Sequence, residues 1–280
     1  MNFLEKLLTA SRWHNSLLCL GLDPEPNSFP SALREMPIDK AVVCFCQAII
    51  EATVPYVCAF KPNTAFFEVL GPAGMQVFQE VLSAIPAHIP VIVDAKRGDL
   101  GNTARNYATA VFDVYNCDAV TVNPYLGYDS VAPFLAYSDK GIILLCRTSN
   151  PSARDFQDLL VQGDDGQARP LYEIVAQRIQ SWNKAGNCGL VVGATYPQEL
   201  HTIRSICPTM PILIPGVGAQ GGDLEASVRA GVDAQGERAI LAVSRSILYA
   251  GNDKNYAIAA REGAQLMRNR INEARNHKRI

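Results

Sequence analysis

The sequence predicts an α/β protein, a single (β/α)8 barrel, from three observations. Short apolar runs recur along the chain, helically periodic segments alternate with them, and charged residues gather where several runs end. The runs fall at residues 16–21, 56–60, 90–93, 119–122, 142–145, 189–193, 212–214 and 239–243. Most are continuous, as expected of strands covered on both faces in a parallel sheet. Helical periodicity marks 41–52, 74–84, 103–115, 171–185, 223–230 and 255–274. Alternation repeated about eight times favours a barrel over a doubly wound sheet.

The 280 residues suffice for one barrel or two smaller domains. No Pro/Ser/Gly linker or shift in composition divides them, so residues 1–280 are expected to form one domain. Hydrophobic residues at 48% against 19% charged exclude a disordered chain. A net charge of −2 supplies no global basic field for nucleic acid or an anionic membrane. An anionic substrate must therefore be held by a few local cations.

Residues 1–15 read as an amphipathic helix, too polar for a signal peptide. No run approaches the roughly 18 apolar residues of a membrane span, and a cytoplasmic location is expected. The eight cysteines form no disulfide framework, most lying in or beside apolar runs. Cys44-x-Cys46 is not a zinc spacing, the histidines are scattered, and no metal site is expected. The segment 147–170 is long, polar and turn-rich, of the kind that is often functional or mobile. Its distal half, 159–169, reads equally well as a solvated insertion, and Arg154 and Arg169 as surface charges.

The sharpest feature is VIVDAKRGDLGNTARNYA, Val91 to Ala108. A buried strand is expected to end at Val93, with Asp94, Lys96 and Asp99 just beyond it. The C-terminal strand ends of a β/α barrel form the active-site face. Asp94 and Lys96, two apart, share one side of an extended segment. Asp99 follows the Gly98 turn near a helix start, where a carboxylate suits the helix dipole. A solvated loop with a chance salt bridge would have the same spelling. What raises the motif above chance is that other strand ends carry matching groups.

Lys61 opens KPNTAFFE after the second run, as either a snorkelling surface lysine or a second site cation. Asp23, after the first run, either opens an Asp-Pro turn or accepts from a sugar hydroxyl. Pro215–Asp223, PGVGAQGGD, follows the seventh run, where glycines let backbone N–H groups approach an anion at a helix start. Its Gly216-x-Gly218-x-x-Gly221 spacing matches a dinucleotide fingerprint but lies too late in the chain for one. Loops after strands seven and eight of barrels frequently bind phosphate. Arg245, after the eighth run, stands where a guanidinium can grip the same anion.

These residues resemble those of the orotidine 5′-monophosphate decarboxylases, from CLGLDP near the start to SRSIL near the end. FKPNTAFFE, LVVGATYP and the long segment after TSNP resemble the longer branch of that family. The resemblance implies a TIM barrel and a charge array of Lys61, Asp94, Lys96 and Asp99. It implies a pyrimidine contact at Ser149, a ribose contact at Asp23, and a phosphate site at Gln220 and Arg245 with Gly218 beside them. It further implies decarboxylation to UMP with no metal or organic cofactor. A homodimer is also implied, in which Asp99 and Thr103 reach the partner's site. Ser244 departs from the glycine that many relatives have before the arginine, which bears on phosphate geometry. Competing readings are a magnesium-dependent sugar-phosphate decarboxylase or hexulose-phosphate synthase, a non-catalytic nucleotide-binding barrel and, last, an NAD enzyme.

Overall fold

A computed structural model describes residues 1–217 and 222–276. Among them, the parallel strands are β1 (Leu18–Leu22), β2 (Ala59–Pro62), β3 (Ile92–Arg97), β4 (Ala119–Val122) and β5 (Gly141–Arg147), then, after a small hairpin, β8 (Cys188–Val192), β9 (Ile212–Ile214) and β10 (Ala239–Val243). The hairpin is β6 (Leu160–Gln162) and β7 (Ala168–Pro170), paired antiparallel. The parallel strands run in the order β2-β1-β10-β9-β8-β5-β4-β3. Bridges from Phe60 to Val91 and from Asn63 to Asp94 bring the two ends of that order together, so the sheet closes into a TIM barrel.

Two layers of apolar side chains explain why the strands read as continuous runs. On β1, Leu18, Leu20 and Leu22 pack outward against the helices, while Cys19 joins the layer inside the barrel. Ala59, Ile92, Ala119, Ile143, Val191, Leu213, Ile240 and Ala242 belong to that inner layer. The helix Phe3–Trp13, started by an Asn2/Glu5 capping box, inserts Phe3 and Leu7 into the same layer at the N-terminal end. A Cβ on Gly141 would lie 2.2 Å from the Phe3 ring, so β5 can begin there only with glycine.

The helices Ile38–Thr53, Gly74–Ser83, Leu171–Trp182, Leu224–Gly231 and Tyr256–Asn276 stand within a few residues of expectation. The segment expected as one helix over 103–115 is an α-helix, Gly101–Thr109, continued by a π-helical turn, Ala110–Val114. Segment 147–170 is more ordered than its composition suggests. It contains a 3-10 turn (Pro151–Asp155) and the β6–β7 hairpin, which Arg169 steadies through its ion pair with Asp165. All eight cysteines are free thiols, Cys44 alone being exposed. Among the described residues no helix is long and apolar enough to cross a membrane.

Candidate active site

Period-two alternation carries five of the inner columns upward into polar residues at the C-terminal mouth. Cys19 leads through Gly21 to Asp23, Ala59 to Lys61, Ile92 to Asp94, Ala119 to Thr121, and Ala242 to Ser244. Gly21 has no side chain because Ser244 occupies the place: a Cβ there would come 2.8 Å from the Ser244 Cβ.

Several strands run further at the mouth than expected, β2 and β3 most tellingly. Lys61 lies within β2, and β3 runs past Val93 to enclose both Asp94 and Lys96. The charged side chains have partners across the barrel, and β3 regains its pairing with β4 at Arg97 after a bulge over 94–96. Lys61 Nζ donates to Asp94 Oδ2 at 2.8 Å, and Lys96 Nζ donates to Asp94 Oδ1 at 2.7 Å. Lys61 and Asp94 are buried, whereas the Lys96 side chain is 51% exposed and faces the open mouth. A carboxylate this buried is tolerated only because cations face both its oxygens.

The electrostatics follow from that geometry. Burial alone would pull the Lys61 ammonium down, but the charges of Asp94 and then Asp23 outweigh it and raise its pKa to about 12. Burial alone would push the Asp94 carboxyl up. The charges of Lys61 and Lys96 reverse this and hold it well below the usual carboxylate range. Lys61 and Asp94 therefore form an ionised pair inside the barrel mouth.

Asp23, Lys61 and Arg245 line one cavity, with Gly21, Ser244 and residues 215–217. Ser244 Oγ donates to Asp23 Oδ2 at 2.6 Å, while Tyr249 donates its hydroxyl to the Asp23 carbonyl at 2.9 Å. The buried Asp23 Oδ1 has no partner among the described residues, which leaves an acceptor free for a ligand hydroxyl. Arg245 is exposed at the start of the short helix Arg245–Leu248. Ser149 is half-buried at the end of β5, its backbone against Gly193, where a Cβ would meet the Ser149 Cα at 2.7 Å. Gly218 and Gln220 lie outside the described residues.

Asp99 and Thr103 do not join the cluster of their own chain. The Asp99 carboxylate accepts from the Leu100 N–H and makes no ion pair with Lys61 or Lys96, and Thr103 is exposed on the helix Gly101–Thr109. The expected array of four is thus, within one chain, a cluster of three. Two further residues escape a reading of the sequence. Thr121, inside the apolar run AVTV, donates its hydroxyl to Asp94 Oδ1 at 3.0 Å. Arg147, at the end of β5, is 1% exposed and lies 3.7 Å from the centre of the Tyr196 ring. Its guanidinium also donates to Gln157 Oε1 at 3.2 Å and pairs with Asp158 at 3.2 Å, tying segment 147–170 to the barrel. A charge directly after a buried run was the available signal for Arg147, as it is for Lys61. Among the described residues no group of three His, Cys, Asp or Glu is placed to hold a metal ion.

Fold and site together define a TIM barrel of the enzyme type, with its ionised side chains gathered at the C-terminal mouth. Residues 16–260 match the family described as orotidine 5′-phosphate decarboxylase / HUMPS. The chain belongs to this family. It is 50% identical over 275 residues to orotidine 5′-phosphate decarboxylase of Dehalococcoides mccartyi, covering 98% of this chain and 99% of that one. The corresponding protein of Ralstonia nicotianae is 49% identical over 279 residues, covering 99% and 100%. The solved structure of OMP decarboxylase from Leishmania donovani superposes with a TM-score of 0.86 at 42% identity, covering 99% and 100%.

Proposed function

We propose that this protein converts orotidine 5′-phosphate to UMP and CO2, the last step of de novo pyrimidine nucleotide synthesis, by means of the charges at the barrel mouth. The observation that carries the reading is the Lys61–Asp94–Lys96 chain of ion pairs, beside a cavity whose wall bears Asp23 and Arg245. It is supported by full-length relatives that bear this enzyme's name.

The bond between C6 and the carboxyl carbon breaks, the electron pair stays on C6, and CO2 leaves. Lys96, exposed at the mouth and paired with Asp94, stabilises the developing carbanion and delivers its proton to C6. Solvent then reprotonates the amine. Fixed charges aimed at developing charge need no reorganisation during the step. Asp94 sits beside the departing carboxylate as a like charge, and Lys61 keeps it ionised and in place. Asp23 takes a ribose hydroxyl, Ser149 the pyrimidine, and Arg245 the phosphate with Gly218 and Gln220. Phosphate binding far from C6 helps stabilise the ordered state in which the charges are complete.

A second copy of the chain completes the site. Asp99, which has no cation partner among the described residues, and Thr103, exposed beside it, are assigned to the partner's site across a two-fold axis.

The test is the loss of orotidine 5′-phosphate absorbance with purified protein in EDTA, wild type beside Lys96→Ala. Turnover by the wild type alone supports the reading and the role of the lysine. Absence of turnover in both overturns it, and the same assay on sugar phosphates with Mg2+ then examines the other half of the family description.

A further inference from the structure

We infer that Thr121 is a positioning residue for this reaction, its one hydroxyl holding the bulge of β3 that presents Asp94 and Lys96 at the barrel mouth. The inference rests on the function proposed above.

Strands β3 and β4 pair in plain register at Ile92 with Ala119 and Val93 with Val120, but the next pair is Arg97 with Val122. Asp94, Ala95 and Lys96 therefore stand opposite the single residue Thr121. Such a bulge re-aims side chains and takes backbone groups off the ladder. Lys96 adopts a φ of +46°, a left-handed conformation that residues with a side chain rarely take. Something must hold the chain there.

The Thr121 hydroxyl meets each requirement. Its Oγ1 accepts from the Ala95 N–H at 3.0 Å and from the Lys96 N–H at 2.9 Å, the two donors the bulge displaces. The same Oγ1 donates to Asp94 Oδ1 at 3.0 Å, the oxygen that also receives Lys96 Nζ. A hydroxyl has one proton and two lone pairs, and all three are engaged. No capacity remains for substrate, so Thr121 acts through Asp94 and Lys96 and not on the reacting atoms. It is 1% exposed, and β-branching restricts its rotamer, so the hub is stiff. Without the hydroxyl, β3 can relax toward regular pairing. Regular pairing would spread Asp94, Ala95 and Lys96 along the strand and change the height at which the Lys96 ammonium stands in the mouth relative to Asp94.

The experiment compares Thr121→Val, Thr121→Ala and Thr121→Ser with wild type and Lys96→Ala, measuring kcat, KM, UMP inhibition and thermal unfolding. Valine keeps the shape and lacks the hydroxyl; alanine and serine both lose the methyl and differ only in the hydroxyl. We expect kcat to fall roughly 100-fold in the valine and alanine variants, the scale of a 1 Å misplacement of reacting groups. KM and UMP affinity should stay near wild type, and serine should restore kcat. Wild-type kcat in a folded hydroxyl-free variant would overturn the inference, as would a raised KM with unchanged kcat. Should valine not fold, the alanine–serine pair gives the same comparison. If neither hydroxyl-free variant folds while serine does, Thr121 is a fold determinant and the positioning role is lost. Failure of the wild type itself to turn over would instead strike the proposed function.

Discussion

Lys61 Nζ stands 2.8 Å from Asp94 Oδ2 across the junction of β2 and β3, where the barrel closes through isolated bridges and not a full ladder. The ion pair thus links the two ends of the sheet at the level where the charges are needed. Lys61→Met should destabilise the protein by about 3 kcal/mol, at the low end for breaking a buried pair because Lys96 still faces the carboxylate. Urea denaturation measures this. A loss under about 0.5 kcal/mol, the range of an exposed pair, would mean that the contact does not fasten the closure.

The pair also dictates a pH dependence. Asp94 titrates below its ordinary range in the folded protein, so its stabilisation is complete above the unfolded value of about 3.9 and is lost as pH falls through the lowered value. Lys61, raised to about 12, stabilises fully below the unfolded value of about 10.4, and that part is lost as pH rises through about 12. The stability difference between wild type and an Asp94→Asn/Lys61→Met double variant should be flat from about pH 5 to 9. It should shrink below about pH 4 and above about pH 11. A difference that titrates near pH 7 would point to other groups.

If Asp99 serves the partner's site, Lys96→Ala and Asp99→Ala are each inactive alone but complement when mixed. Random reassortment of subunits places an intact Lys96 and Asp99 together in about a quarter of the sites, so about a quarter of wild-type activity should return. Mixing that restores nothing, although subunits are shown to exchange, would confine Asp99 to its own chain.

Arg147 is fully enclosed, its guanidinium stacked on Tyr196 and bonded to Gln157, and Gln157 in turn accepts from the Thr148 N–H at 2.8 Å. Arg147→Met removes the pin that holds residues 150–158 over the end of β5. We expect a stability loss of about 2 kcal/mol, faster proteolytic nicking within 150–158, and a raised KM through displacement of Ser149. Unchanged proteolysis would show that the segment is held by its own turn and hairpin.

Strand–helix alternation, the burial of strands on both faces and the charges that terminate them are all written in the local order of residues. An ionised side chain directly after a buried apolar run has few places to go except the mouth of a barrel, which is why Asp23, Lys61, Asp94, Lys96 and Arg245 were legible. Tertiary structure alone decided which of them touch. Lys61 and Asp94 are 33 residues apart, and Thr121 and Asp94 are 27 apart, so their contact depends on the register between strands. Hydrophobic periodicity constrains which face a residue takes but not which neighbour it meets. Thr121 was hidden because threonine suits any strand, and its hydroxyl gained its role only when β3 bulged opposite it. Arg147 reads as the start of a polar loop until Tyr196 and Gln157, distant in sequence, enclose it. The order in segment 147–170 and the lack of a cation partner for Asp99 among the described residues are likewise matters of packing, set by which surfaces the closed barrel leaves within reach of one another.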